Sequence, residues 1–160
     1  MPTTTTIGAD LFRSLLRRHA AGVVVITAAG ARPAGFTATS FTSVSLDPPL
    51  VSFCLDRRSS SWPTLERAEY VGVHVLTEAQ EELARRFATS GIDRFAAPVA
   101  WQPGPHGVPV LSGALAVLVC RVADRVHAGD HAIVLASPIH GEHSEGAPLL
   151  YHDGRYLKAA

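Results

Sequence analysis

A mainly antiparallel β-barrel with a few short peripheral helices is the fold class this sequence predicts. Short apolar runs rich in β-branched residues recur between turns containing Gly and Pro, only two or three amphipathic segments interrupt them, and the regular strand–helix–strand alternation of a parallel sheet is missing. The 160 residues suffice for one domain, and a domain of this length buries roughly 70% of the surface its unfolded chain exposes. It needs no disulfide or metal to fold. No internal repeat or long linker divides the chain, so we expect a flexible arm over residues 1–9 and a single domain over 10–160.

The arm is Thr-rich and lacks the basic and apolar regions of a signal peptide. Asp10 is placed to cap a short helix whose Leu11, Phe12, Leu15 and Leu16 share one face, with Arg13, Arg17 and Arg18 toward solvent. Residues 23–27 are apolar and β-branched between Gly22 and Gly30, the pattern of a buried strand. Residues 35–50 then hold six hydroxyl side chains (Thr37, Thr39, Ser40, Thr42, Ser43 and Ser45) and close on Pro48 and Pro49 before the apolar run 50–55. Small polar side chains between two strands let a ligand approach the backbone, so this stretch is read as the floor of a binding site.

In segment 57–65, Arg57 and Arg58 precede Ser59, Ser60 and Ser61. Guanidinium forks beside hydroxyls suit a phosphate, and the same residues equally suit a solvated turn capping a short helix at 63–68. Residues 70–76 alternate as a strand, making His74 a satisfied or exposed strand histidine. Thr77 and Gln80 form a capping box ahead of a helix with Leu83, Ala84 and Phe87 inward. Residues 88–97 read as a loop in which Phe95 plugs the core and Arg94 faces solvent. Segment 101–109, with three prolines and two glycines, is expected to be irregular. Residues 111–127 and 132–139 read as strands around Gly129, Asp130 and His131. His140, Glu142, His143 and Glu145 fall in an expected polar loop, poor ground for a metal, and no metal site is expected. A terminal hairpin turns at Asp153-Gly154.

Acidic and basic residues balance at 14 each, with a pI near 7.1, leaving no electrostatic footprint for nucleic acid or an anionic membrane. No apolar run is long enough for a spanning helix. Cys54 and Cys120 lie in apolar runs without CxxC spacing and read as buried free thiols, which points to the cytoplasm. Nucleophile-elbow, Walker, GxGxxG and HExxH signatures are all lacking. Chemistry is then expected from a cofactor that the protein holds and orients.

Taken in order, 35–50, 57–65 (RRSSSWPTL), 83–88 (LARRFA), Asp93-Arg94-Phe95, Gly129-Asp130-His131 and 148–156 (PLLYHDGRY) resemble the short-chain flavin reductases. Those are the reductase components of two-component flavin-dependent monooxygenases, and the likeness spans residues 10–158. It implies an FMN-binding split barrel of Greek-key type, a homodimer, and hydride transfer from NADH or NADPH to FMN or FAD, with reduced flavin passed to a partner monooxygenase. It also implies site residues. Thr37, Ala38, Thr39 and Ser40 match the segment lining the flavin ring and ribityl chain, Ser45, Cys54 and Leu55 the neighbouring strand contacts, and Ser59 and Ser60 the phosphate side. Phe87 and Ala88 match a segment beside the flavin. His131 matches the catalytic residue associated with the nicotinamide, and Tyr156 and Arg94 match positions near the same pocket. Two alternatives stay open: a non-catalytic split barrel retaining FMN as a binding or electron-transfer module, and an oxidase of a phosphorylated amine. FMN against FAD and NADH against NADPH also stay open.

Overall fold

The first helix, α1 (Ala9–Leu16), begins one residue earlier than Asp10 would set it: Gly8 is the N-cap, and Asp10 sits in the first turn, 3.2 Å from Arg13. The computed structural model describes residues 4–159, so residues 1–3 of the expected arm lie outside the described residues. A short strand β1 (Ala21–Gly22) leads into β2 (Val24–Ala28), in which all five residues are buried. Two apolar layers account for this. Val24, Ile26 and Ala28 join Phe36, Phe53, Val71, Val73 and Val134 in one cluster, whereas Val23 and Val25 join Leu76, Ala84, Phe87 and Leu149 in a second. A strand buried on both faces reads as an unbroken apolar run.

The chain continues through β3 (Ala34–Ala38), β4 (Thr42–Leu46) and β5 (Pro49–Asp56), then α2 (Trp62–Leu65), shorter than expected. Next come β6 (Tyr70–Val75) and the capping box of Thr77 and Gln80. The box closes a 3₁₀ turn (Glu78–Gln80) that leads into α3 (Glu81–Arg86). The segment expected to be irregular instead forms a two-stranded ribbon, β7 (Trp101–Pro103) with β8 (Pro109–Leu111). Long hairpin arms β9 (Ala116–Ala128) and β10 (His131–His143) follow, then β11 (Leu149–His152) and β12 (Arg155–Lys158). The β11–β12 turn has Asp153 at φ 52° and Gly154 at φ 74°, the two positive values a type I′ turn requires.

Every pairing between these strands is antiparallel. The main sheet has seven strands in the order β3-β2-β6-β9-β10-β5-β4, with the smaller sheets β1-β11-β12 and β7-β8 beside it. The expected polar loop at 140–143 is the exposed end of β10, paired to β9 as far as His143 with Ala116. Pro138 does not end that strand; the register shifts between Pro138 and His140, a bulge that accommodates the missing N–H. Cys120 is buried and its thiol is pushed up to about 12 by burial; Cys54, expected to be buried, is partly exposed. None of the helices among the described residues is long and apolar enough to cross a membrane.

Candidate functional site

The two ends of the seven-strand order, β3 and the β5–β4 pair, are stitched by a single hydroxyl. Ser40 Oγ, just past β3, accepts the Cys54 N–H of β5 at 2.9 Å and donates to the Cys54 carbonyl at 3.4 Å. Beside this seam lies a cavity of about 390 Å³, walled by Phe36, Thr37, Ala38, Thr39, Ser40, Cys54, Leu55, Asp56, Ser59, Phe87, Ala88, Arg94 and His131. Thus the fold gathers Thr37 to Ser40, Cys54, Leu55, Ser59, Phe87, Ala88, Arg94 and His131, which are distant in sequence, around one space. Ser60 faces a second, adjoining cavity of about 840 Å³. Ser45 and Tyr156 line neither. Ser45 pairs with Leu50 on the outer strand β4, and Tyr156 packs against Tyr151 at 5.1 Å beneath the Arg85 guanidinium.

The hydroxyl run divides by job. Thr37 Oγ1 donates to the Ala84 carbonyl at 2.6 Å and its N–H to the Phe87 carbonyl at 3.1 Å, satisfying groups at the end of α3. Ser40 is spent on the seam. Ser59 Oγ accepts the Ser61 N–H at 3.2 Å and keeps its own proton to donate, while Ser61 Oγ donates to Gly35 O at 3.1 Å. Side chains at Thr39, Ser59 and Ser60 are therefore the ones free to meet a ligand. Gly35 must be glycine for local packing: a Cβ there would stand 2.8 Å from Phe87 Cε1 and 3.0 Å from Ile26 O.

Arg94, expected in solvent from the loop pattern and near the nicotinamide pocket from the family likeness, is held at the wall of the cavity that His131 also lines. Its Nη1 donates to Gly35 O at 2.7 Å and its Nε to Thr89 O at 3.1 Å. Partial burial lowers its pKa, yet a guanidinium stays charged at neutral pH, and its remaining N–H groups are available to an anion.

Arg57 and Arg58, the phosphate candidates, point elsewhere. The Arg57 N–H donates to Asp130 O at 3.0 Å, and its guanidinium binds the Gly129 carbonyl and approaches His127 Nδ1 at 3.3 Å. Arg58 bridges Asp56 at 2.9 Å and Asp130 at 3.6 Å. The Arg58 hydrogen bonds hold Asp56 down to about 2. The pair thus clamps the β9–β10 turn that carries His131, whose Nδ1 is 2.6 Å from Asp130 Oδ1. Asp56, Asp130 and His131 stand close enough to share a cation, but the Arg58 guanidinium already lies between the two carboxylates and takes up part of their charge. Asp56 is the wall residue the sequence reading passed over, and its place next to the Arg pair was the available signal. His74 is fully buried, with Nδ1 3.0 Å from Val25 O and Nε2 accepting the Leu111 N–H at 3.0 Å, a structural histidine.

The donor set suits a particular kind of ligand. Phe36, Ala38, Leu55, Phe87 and Ala88 offer apolar or small surface to a flat ring. Thr39 and Ser59 add hydroxyls, and Arg94 supplies a fixed positive charge where the two cavities meet. That is the chemistry of a heteroaromatic ring system with a phosphorylated chain, and a flavin has both parts.

Comparison with known proteins agrees. Residues 16–160 match the model of the flavin reductase like domain. The chain is 46% identical to an NADH:FMN oxidoreductase of Rhodococcus qingshengii, over 97% of this chain and 84% of that protein. It is 38% identical to the flavin-dependent monooxygenase reductase subunit HsaB of Mycobacterium tuberculosis, over 91% of this chain and 79% of that protein. Among solved structures, the NADH:FAD oxidoreductase SgcE6 of Streptomyces globisporus C-1027 superposes with a TM-score of 0.89 at 33% identity, covering 100% of this chain and 94% of that one.

Proposed function

The chain belongs to the family of flavin reductase like domains, and from that premise we propose that it is an NAD(P)H:flavin oxidoreductase whose reduced flavin goes to a monooxygenase component. The observation that carries this is the convergence of Thr39, Ser59, Arg94 and His131 on one cavity beside the Ser40–Cys54 seam.

In this reading Thr37 to Ser40, Cys54, Leu55, Phe87 and Ala88 shape the slot for the flavin ring, and Ser59, Ser60 and Arg94 receive its phosphate. When bound, the flavin supplies the redox chemistry, accepting a hydride from a reduced nicotinamide. The protein's part is positioning, the source of large rate gains when two reactants are held in register. His131 stands at the rim, on a turn made rigid by Arg57 and Arg58. Its Nδ1, paired to Asp130, carries a proton and leaves Nε2 to meet the nicotinamide amide. Backbone N–H groups and hydroxyls around Thr39 offer neutral donors to the ring edge, the arrangement that stabilises developing negative charge.

We further propose a homodimer. The α1 face expected to seek the core is half exposed in the single chain, at Leu11, Phe12, Leu15 and Leu16, and Leu46 on β4 is 90% exposed. A second copy is the partner that would cover it. The two free cysteines favour the reducing cytoplasm.

The deciding assay follows NADH and NADPH oxidation by the purified protein with FMN, FAD or no flavin. Flavin-dependent oxidation is the expected result. A protein that stays yellow and oxidises neither nicotinamide would instead be an FMN-retaining module.

A further inference from the structure

We infer that the larger cavity is a subsite for the second phosphate and nucleoside of a dinucleotide flavin, and that Arg32 sets this chain's preference for FAD over FMN. The inference rests on the flavin reading of the smaller cavity and deepens it. The two cavities share Arg94 as a common wall, and consecutive residues diverge across the boundary: Ser59 faces the smaller and Ser60 the larger, as Phe36 and Gly35 do. A phosphate held by Ser59, Ser60 and Arg94 therefore sits at the junction. A mononucleotide ends there. A dinucleotide must continue, and the way on is a space of about 840 Å³, within the size range of ligand cavities.

The lining of that space fits what would continue. Arg32 brings a second guanidinium, among the described residues without a hydrogen-bond or ion-pair partner, to the lining that also holds the one fixed at Arg94. Two phosphates in series suit two guanidiniums, which bind phosphate oxygens as charged forks. Thr64 and Ser60 add hydroxyls. Trp101 and Ile92 give apolar and aromatic surface for a purine. The one carboxylate in the lining, Asp93, is turned onto the Phe95 N–H at 3.1 Å, so its charge is partly satisfied locally. Arg32 is exposed and is not among the residues that wall the smaller cavity, where the ring of either flavin would lie.

Titration calorimetry of the full chain with FAD, FMN and ADP tests this, for the wild type, Arg32→Ala and Arg32→Lys. KM values for NADH and NADPH are measured on the same proteins. The wild type is expected to bind FAD more tightly than FMN. Arg32→Ala is expected to weaken FAD and ADP about tenfold, the scale of one charged hydrogen bond, and to leave FMN within about twofold, with Arg32→Lys between. Equal losses for FAD and FMN, or no loss for either, would overturn the subsite. So would a rise in KM confined to NADPH, which would give Arg32 to the 2′-phosphate of that nucleotide. The reductase reading fails separately: if neither nicotinamide is oxidised, the FAD, FMN and ADP titrations still decide the subsite. If the wild type binds no flavin, both readings fall.

Discussion

Asp130 Oδ1 stands 2.6 Å from Nδ1 of His131, the next residue in the chain and part of the wall of the smaller cavity. The side-chain hydrogen bond from His131 holds the Asp130 carboxyl below its ordinary value, and Arg58 keeps the carboxylate in place from the other side at 3.6 Å. A carboxylate can only accept, so this pairing favours the imidazole with its proton on Nδ1 and biases the ring's orientation.

The first prediction concerns that pair. His131→Ala is expected to raise the KM for NADH or NADPH about tenfold while flavin affinity stays within about twofold. Asp130→Asn is expected to do the same more weakly, about threefold, because the pair is solvent-exposed and a hydrogen bond there is discounted. Steady-state kinetics with each substrate varied separately checks both. Equal effects on flavin and nicotinamide would remove His131 from the role assigned to it.

The second prediction separates the arginines. Arg57 and Arg58 clamp the β9–β10 turn, and Arg94 faces the cavity. Arg94→Ala is therefore expected to weaken flavin binding about tenfold or more, as loss of a charged hydrogen bond does. Arg57→Ala should leave flavin affinity nearly unchanged and raise the nicotinamide KM by loosening the turn under His131. Flavin fluorescence quenching supplies the affinities. The reverse pattern would return the phosphate to the Arg pair.

These arginines also mark the limit of what the sequence made legible. Arg57, Arg58 and three serines were visible as phosphate chemistry, but which group a guanidinium meets is decided by the β9–β10 turn, more than 70 positions away in the chain. Local signals fared better. The capping box at Thr77 and Gln80 and the Asp153-Gly154 turn formed where expected, and the strand read over 23–27 formed one residue later, at Val24–Ala28, because each is fixed by neighbours within a few residues or by burial on both faces. The β7–β8 ribbon was hidden by its prolines, since Pro103 and Pro109 pair in a two-stranded ribbon where unpaired N–H positions are tolerated. The outer half of β10 was hidden by its polarity: exposed and paired to β9, it carries no apolar alternation to read. The hydroxyl run was recognised as a site, yet Thr37 and Ser40 serve the framework, and Ser45 lies outside the cavity.

The third prediction follows from His74. With Nδ1–H donated to Val25 O and Nε2 accepting from Leu111 N–H, the ring must be neutral, and burial lowers its pKa to about 4 from 6.5. A folded pKa below the unfolded one means that the unfolded chain takes up the proton first. The stabilising contribution is thus complete above about pH 6.5, falls as the pH drops toward 4, and is levelled off below that. At pH 5 the loss is about 2 kcal/mol by linkage. Urea unfolding at pH 7 and pH 5, on the wild type and on His74→Gln, isolates the effect. The glutamine can donate and accept but does not titrate, so its pH dependence should be shallower by about that amount. Parallel curves would show that His74 does not carry the acid sensitivity.

The fourth prediction takes up α1. Leu11, Phe12, Leu15 and Leu16 fall on one face by helical spacing, yet each is about half exposed and the helix has no buried residue. A face of this kind is stable in water when another surface covers it, and a standard interface removes about 800 Å² from each partner. A single short helix supplies only part of that, so the exposed apolar residues of β4, Val44 and Leu46, are expected to add to the area. The double variant Phe12→Glu/Leu15→Glu places charges in the middle of the face, where burying them unpaired costs several kcal/mol. It should shift the protein from twice the chain mass to one chain mass in light scattering, with the near-ultraviolet circular dichroism of the barrel core retained. A wild type that already runs as a single chain at micromolar concentration would leave α1 without its partner and end the homodimer proposal.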